Sequence, residues 1–325
     1  MVTEDNLALV FPGQGSQALG MLSSFHAEFP SITTTFTEAS DVLGYDLWKL
    51  TQEGPLEKLN LTEYTQPALL TASVAVWRVW LQQGGIQPSL MSGHSLGEWS
   101  ALVCSGVVAF TDAVKLVQHR GRFMQQAVPE GQGSMAAILG LDDDAVKTAC
   151  DAAMQEQSLQ GSIVSPVNFN SPGQSVIAGN VSAVDRAIVH CKKLGAKRAM
   201  LLPVSAPFHT ELMRSASDKL ASHIENINFN APSVPIVHNV NARIELDPNK
   251  IKQLMIEQIY QPVLWVSCVR ALVDSGVTHI VECGPGKVLA ALVKRIDGSL
   301  SIAVTDTVTD FNNALQLGLN VRVVA

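Results

Sequence analysis

Charge is scarce in this chain: Asp, Glu, Lys and Arg make up 16% of its 325 residues, against roughly a quarter in an average globular protein. Apolar residues reach 47%, which implies a large buried core and excludes wholesale disorder. A basic excess is also missing, since 22 Lys and Arg face 29 Asp and Glu for a net charge of -7. That balance argues against a nucleic-acid binder, while leaving local basic patches open. Long apolar runs are absent, although mean hydropathy is +0.20. No stretch approaches the roughly 20 apolar residues of a membrane span. The nearest, residues 67–81, is broken by Thr71, Ser73 and Arg78 and reads as a buried helix. The five cysteines are scattered with no C-x-x-C pair, which disfavours both a disulfide framework and a zinc site. The first residues carry Glu4 and Asp5 rather than a basic segment before an apolar one. The expectation is therefore a cytoplasmic protein with reduced thiols, no signal peptide and no membrane association.

What is present is a repeated alternation of strand and helix. Residues 7–11 form an apolar strand ending in Pro12-Gly13. Helices are predicted over 66–81, 96–104 and from Thr111 or Asp112 to about 128, with a short strand over 89–92. Later, 253–259 and 266–272 read as helices and 279–283 as a buried strand. Such alternation predicts an α/β fold with a mainly parallel sheet. The middle differs: strand 135–139, helix 142–154, strands 163–169 and 175–178, helix 182–194 and strand 198–202. That order, β-α-β-β-α-β, is the split unit of ferredoxin-like domains. Residues 130–202 thus read as an inserted subdomain in a discontinuous domain built from 1–129 and 203–325. A cleft between the two is the natural ligand site.

Gly93-His94-Ser95-Leu96-Gly97 fits G-x-S-x-G between a strand and a helix. A nucleophile on such a turn is strained and exposed at a helix N-terminus, where free N–H groups can hold an oxyanion. The plainer reading is a glycine-bounded helix start with Ser95 as a cap. Residues 13–18, Gly-Gln-Gly-Ser-Gln-Ala, match a dinucleotide fingerprint, but no second strand ends in an acidic residue about 20 positions on. Exposed amides after a strand serve any anion, oxyanions included. Gly284-Pro285-Gly286-Lys287 lacks the spacing of a phosphate loop and reads as a strand-to-helix join. Arg120 falls in phase with the apolar stripe Ala113, Leu116, Val117 and Met124. A core-facing guanidinium needs an anionic partner: either an internal carboxylate, Glu98 among the candidates, or a substrate anion. Of eight histidines, His209 sits in the proline-stiffened turn Ala206-Pro207-Phe208-His209-Thr210, a setting that fixes a catalytic group. It is the preferred base for Ser95.

Together these motifs resemble the acyltransferase family. The resemblance rests on Phe-Pro-Gly-Gln-Gly-Ser-Gln at 11–17, Gly-His-Ser-Leu-Gly-Glu at 93–98 and Arg120-Gly121. It is strengthened by Val-Asn-Phe-Asn-Ser-Pro-Gly-Gln at 167–174, by His209 after Phe208, and by Glu-Cys-Gly-Pro-Gly at 282–286. It runs from about 6 to 318, leaving 319–325 unmatched, and is nearest to the malonyl-CoA:acyl carrier protein transacylases of bacterial fatty-acid synthesis. It implies an α/β-hydrolase-like large domain, with Ser95 as nucleophile and His209 as base. The backbone N–H groups of Gln14 and Leu96 are implied as the oxyanion hole, and the backbone carbonyl of Gln258 as the group orienting His209. Arg120 is implied to grip the malonyl carboxylate, with Asn168 supporting the cleft. Phe208 beside the histidine is similar to the pattern of modular polyketide acyltransferases in which a Phe there goes with malonyl, and this resemblance implies malonyl rather than methylmalonyl.

The implied substrates are malonyl-CoA and the phosphopantetheine thiol of an acidic acyl carrier protein. No metal or other cofactor is expected, and the enzyme is expected to be a monomer. Two basic clusters are candidate carrier contacts: Lys192, Lys193, Lys197 and Arg198, and Lys287, Lys294 and Arg295. A polyketide or malonate decarboxylase acyltransferase, a serine hydrolase and a non-catalytic docking module are the rival readings. A hydrolase would normally add an Asp or Glu behind its histidine and has no need of Arg120.

Overall fold

The computed structural model describes residues 6–156, 161–204 and 206–321. Its strands are β1 Leu7–Phe11, β2 Leu90–Gly93, β3 Gly133–Leu139, β4 Val164–Ser171 and β5 Gln174–Asn180. They continue with β6 Arg198–Leu201, β7 Ile236–Val237, β8 Ile244–Glu245, β9 His279–Glu282 and β10 Ser301–Val304. A six-stranded sheet runs β10-β9-β1-β2-β7-β8. All its pairings are parallel except β7 with β8. β1 lies at its heart, and every residue of Leu-Ala-Leu-Val-Phe is buried. Continuous apolarity without alternation marks a strand covered on both faces. The α/β class and the mainly parallel sheet are as the sequence predicts.

The helix predicted to begin at 66 in fact spans Thr62–Gln82, with Pro67 inside it. Proline usually opens a helix because it lacks an N–H. Here the helix is buried nearly all round from Thr62 onward, and packing outweighs the lost ladder bond. Among the described residues no helix is long and apolar enough to cross a membrane.

The smaller sheet has order β4-β5-β3-β6, antiparallel throughout. Helices Asp143–Met154 and Val181–Lys193 cover one face, sharing a core of Ala136, Ile138, Val146, Ile177 and Val184. The predicted order of six elements is thus present. β4 is stitched to the larger body: Val263 N–H donates to Val167 O at 2.8 Å and Phe169 N–H to Val263 O at 3.0 Å. The unmatched tail enters the closing helix Val308–Val321, and 322–325 lie outside the described residues. The C-terminal ends of β1 and β2 open onto the Pro12–Gly15 loop and the Ser95 turn, the usual ligand edge of a parallel sheet.

Candidate active site

Ser95 stands at φ 51°, ψ −102°, between β2 and the helix Leu96–Cys104. Positive φ is costly for a residue with a Cβ and persists only where its surroundings enforce it. Three segments converge here. A Cβ on Gly97 would collide with Phe11 O at the end of β1, and one on Gly13 with His94 O. The glycines therefore allow the first loop, the turn and the helix start to touch. Asn239 clamps the turn, accepting from Ser95 N–H at 2.7 Å and donating to Gly93 O at 2.7 Å. Gln258 Nε2 donates to Ser95 O at 2.9 Å.

His209 also has positive φ, 63°. Its Nε2 lies 2.8 Å from Ser95 Oγ and its Nδ1 lies 2.7 Å from Gln258 O. A carbonyl only accepts, so Nδ1 carries the proton and Nε2 is free to accept from the serine hydroxyl. Burial, and then the nearby Arg120 cation, push the His209 pKa down to about 3. The imidazole is neutral near pH 7 and suited to take a proton.

Arg120 is 1% exposed. It donates from Nη1 to Gln66 Oε1 at 2.8 Å, and from Nη2 to Ser95 Oγ at 3.1 Å and Gln258 Oε1 at 2.9 Å. Burial lowers its pKa to about 10, with Glu98 opposing that shift, so it stays a cation at neutral pH. The possibility of a direct Glu98 salt bridge is corrected by these contacts. Glu98 instead accepts from His238 Nδ1 at 2.6 Å, Asn239 N–H at 3.1 Å and Gln258 Nε2 at 2.7 Å. The Gln258 carboxamide stands between the two charges.

Ser95, His209, Arg120, Gln14, Leu96 and Asn168 all line one cavity. Gln258 is fully buried behind it. Leu96 opens its helix, where an N–H has no intrahelical acceptor. Asn168 Oδ1 is buried without a partner. His94 turns its Nε2 to Asn170 Oδ1 at 2.8 Å. Among the described residues no three His, Cys, Asp or Glu side chains gather into a metal site.

Residues 8–311 match the acyl transferase domain family. A malonyl CoA-acyl carrier protein transacylase from Salmonella typhimurium is 56% identical over 308 residues, covering 95% of this chain and 98% of that protein. The chain belongs to the acyl transferase family. Another member, the malonyl CoA-acyl carrier protein transacylase of Bacillus subtilis, is 44% identical over 304 residues, 93% of this chain and 94% of its own. Among solved members, an acyl carrier protein S-malonyltransferase from Vibrio cholerae superposes with TM-score 0.92 at 54% identity, covering 95% of this chain and 99% of that one. A malonyl-transacylase solved in complex with a type II PKS acyl-carrier protein gives TM-score 0.93 at 53% identity, covering 96% and 99%.

Four residues of this acyl transferase site escaped the sequence reading in these positions: Gln66, Asn239, His238 and the Gln258 side chain. Neutral amides carry no periodicity signal, and their partners lie far away in the chain. Glu98 did leave a trace, as the one charge in the apolar helix Leu-Gly-Glu-Trp-Ser-Ala-Leu-Val-Cys.

Proposed function

We propose that this protein transfers malonyl from malonyl-CoA to the phosphopantetheine thiol of acyl carrier protein, through a malonyl ester on Ser95. The observation that carries this reading is the placement of Arg120 beside the Ser95–His209 pair in one cavity. A guanidinium there supplies a forked donor for a carboxylate on the acyl group being transferred.

His209 Nε2 takes the hydroxyl proton as Ser95 Oγ bonds to the thioester carbonyl carbon. The oxyanion is held by the N–H groups of Gln14 and Leu96. On collapse the C–S bond breaks, and the proton on His209 passes to the departing CoA thiolate. The second half runs in reverse: His209 takes the proton of the carrier thiol, sulfur attacks the ester, and Ser95 Oγ leaves with that proton. Two half-reactions through one covalent intermediate give ping-pong kinetics. The proton moves entirely among Ser95, His209 and the thiols, so no step calls for a metal or redox cofactor. Asn168, which lines the cavity, is assigned to cleft support. Residues 130–202 are read as a subdomain forming one wall of the cleft, and the enzyme as a cytoplasmic monomer.

Intact-mass measurement tests the reading. Incubation with malonyl-CoA should add one malonyl group to the wild type and none to Ser95→Ala. Addition of phosphopantetheinylated carrier protein should then discharge the adduct onto the carrier. An adduct that survives in folded Ser95→Ala, or one lost to water as free malonate at the same rate with or without carrier, overturns it.

A further inference from the structure

The buried Arg120 cation has an unusual resting environment. Its partners Gln66 Oε1, Ser95 Oγ and Gln258 Oε1 are all neutral. The nearest balancing charge is Glu98, which is 0% exposed and separated from Arg120 by one carboxamide. That carboxamide can face only one way. Its NH2 donates to both Glu98 Oε2 and Ser95 O, while its oxygen accepts from Arg120. Reversing it would set NH2 against the guanidinium and oxygen against the carboxylate, two unfavourable contacts among buried side chains. The Glu98 carboxylate is itself fixed by His238 Nδ1 and Asn239 N–H, and Asn239 in turn holds the Ser95 turn.

We infer that Glu98, acting through the Gln258 carboxamide, is a specificity-positioning residue: it holds the Arg120 fork toward the acyl group and thereby sets the preference for a carboxylate-bearing donor. Glu98 touches neither Ser95 Oγ nor the cavity, so this is a role distinct from chemistry. It also gives Gln258 two separable functions. The backbone carbonyl orients His209, and the side chain orients Arg120. A substitution can remove the second and keep the first.

The inference rests on the proposed malonyl transfer, and the test separates the two. Glu98→Gln is nearly isosteric. Its carboxamide oxygen can replace Oε2, and its NH2 can face His238 Nδ1 once that ring's proton moves to Nε2, which is buried and unpartnered. The variant thus keeps the packing and removes the charge that fixes the direction of the Gln258 carboxamide. The measurement is kcat/KM for acylation by malonyl-CoA and by acetyl-CoA, in wild type, Glu98→Gln, Arg120→Ala and the double variant. Glu98→Gln should lower the malonyl-to-acetyl ratio about tenfold, a scale usual for coupled members of one hydrogen-bond network. Most of the change should appear in the malonyl-CoA KM. In the Arg120→Ala background the same substitution should change the ratio no further. A ratio unmoved by Glu98→Gln, or moved equally in both backgrounds, makes Glu98 a structural scaffold and overturns the inference. Should Glu98→Gln melt below assay temperature, Gln258→Met takes its place in the same cycle, since it keeps the carbonyl on His209. A wild type that forms no malonyl adduct instead overturns the functional reading itself.

Discussion

At the scale of single residues, the site works by holding two neutral partners beside one cation. Burial and Arg120 together depress the His209 pKa to about 3, so its proton-accepting form persists far below the ordinary imidazole value of about 6.5. The acid limb of kcat/KM reports the free enzyme. For wild-type acylation by acetyl-CoA, which brings no titrating carboxylate, kcat/KM should show no limb near pH 6.5. Removing the Arg120 charge removes one cause of this depression, so His209 in Arg120→Ala should have a higher pKa and the acid limb should move upward. A limb that stays in place or moves down would show that the cation does not act on the histidine. The same shift affects stability. The folded pKa lies below the unfolded value, so the unfolded state binds the extra proton, and the contribution of neutral His209 is lost as pH falls from about 6.5 toward 3. Ser95, His209 and Arg120 were legible in the sequence because each breaks a local pattern: a strained glycine-flanked turn, a proline-stiffened turn, a charge in an apolar stripe. Asn239 and Gln66 break none. Their value lies in partners 144 and 54 positions away, and no local window contains both ends of such a bond.

At the scale of elements, the reading succeeded where apolar runs were bounded by glycine or proline. β1 and the helix Leu96–Cys104 have the predicted limits, and the six elements of the smaller sheet appear in the predicted order. The helix predicted over 66–81 instead spans Thr62–Gln82, its start carried past Pro67 by tertiary burial. The meeting of β1 with the helix Leu96–Cys104 leaves no room for added volume. Gly97→Ala would drive a methyl into Phe11 O, and backbone cannot swing aside as a side chain can. Overpacking of this kind costs about 1–3 kcal/mol. Thermal melts should show that loss, and acylation should fall further than the folded fraction does, because the same shift displaces Leu96 N–H and Ser95. Gly298→Ala, whose new methyl meets only Lys294 O at 3.9 Å, is the control and should melt with the wild type. Equal melting of the two variants would show that the join yields.

At the scale of the whole molecule, a net charge of -7 would repel a carrier protein that is itself acidic, and attraction would then have to be local. The two basic clusters are less separate than their numbering suggests. Leu139 at the end of β3 pairs with both Gln174 and Arg198, and Arg295 donates to Gln174 Oε1 at 2.5 Å. Lys192, Lys193, Lys197 and Arg198 are all exposed. Reversing Lys197 and Arg198 to Glu should raise the carrier-protein KM by roughly tenfold at low salt, less as salt screens the pair. Acylation by malonyl-CoA should be untouched. If acylation falls in step, those cations serve CoA or the fold rather than the carrier.

The chain order of the site has a further consequence for how the protein is made. Ser95 and His209 meet across 114 residues, and the Asn239 and Gln258 contacts to Ser95 span 144 and 163. A chain emerging N-terminus first supplies the residues of β1, β2 and the serine turn before those of the four-stranded sheet and the histidine, while β7 and β9, the partners of β2 and β1, come later still. Asn239, which clamps the strained turn, also follows the histidine. A half-synthesised chain therefore displays its serine on a loose turn with no base beside it. Reactivity arrives late, and it arrives only when both sheets are in place.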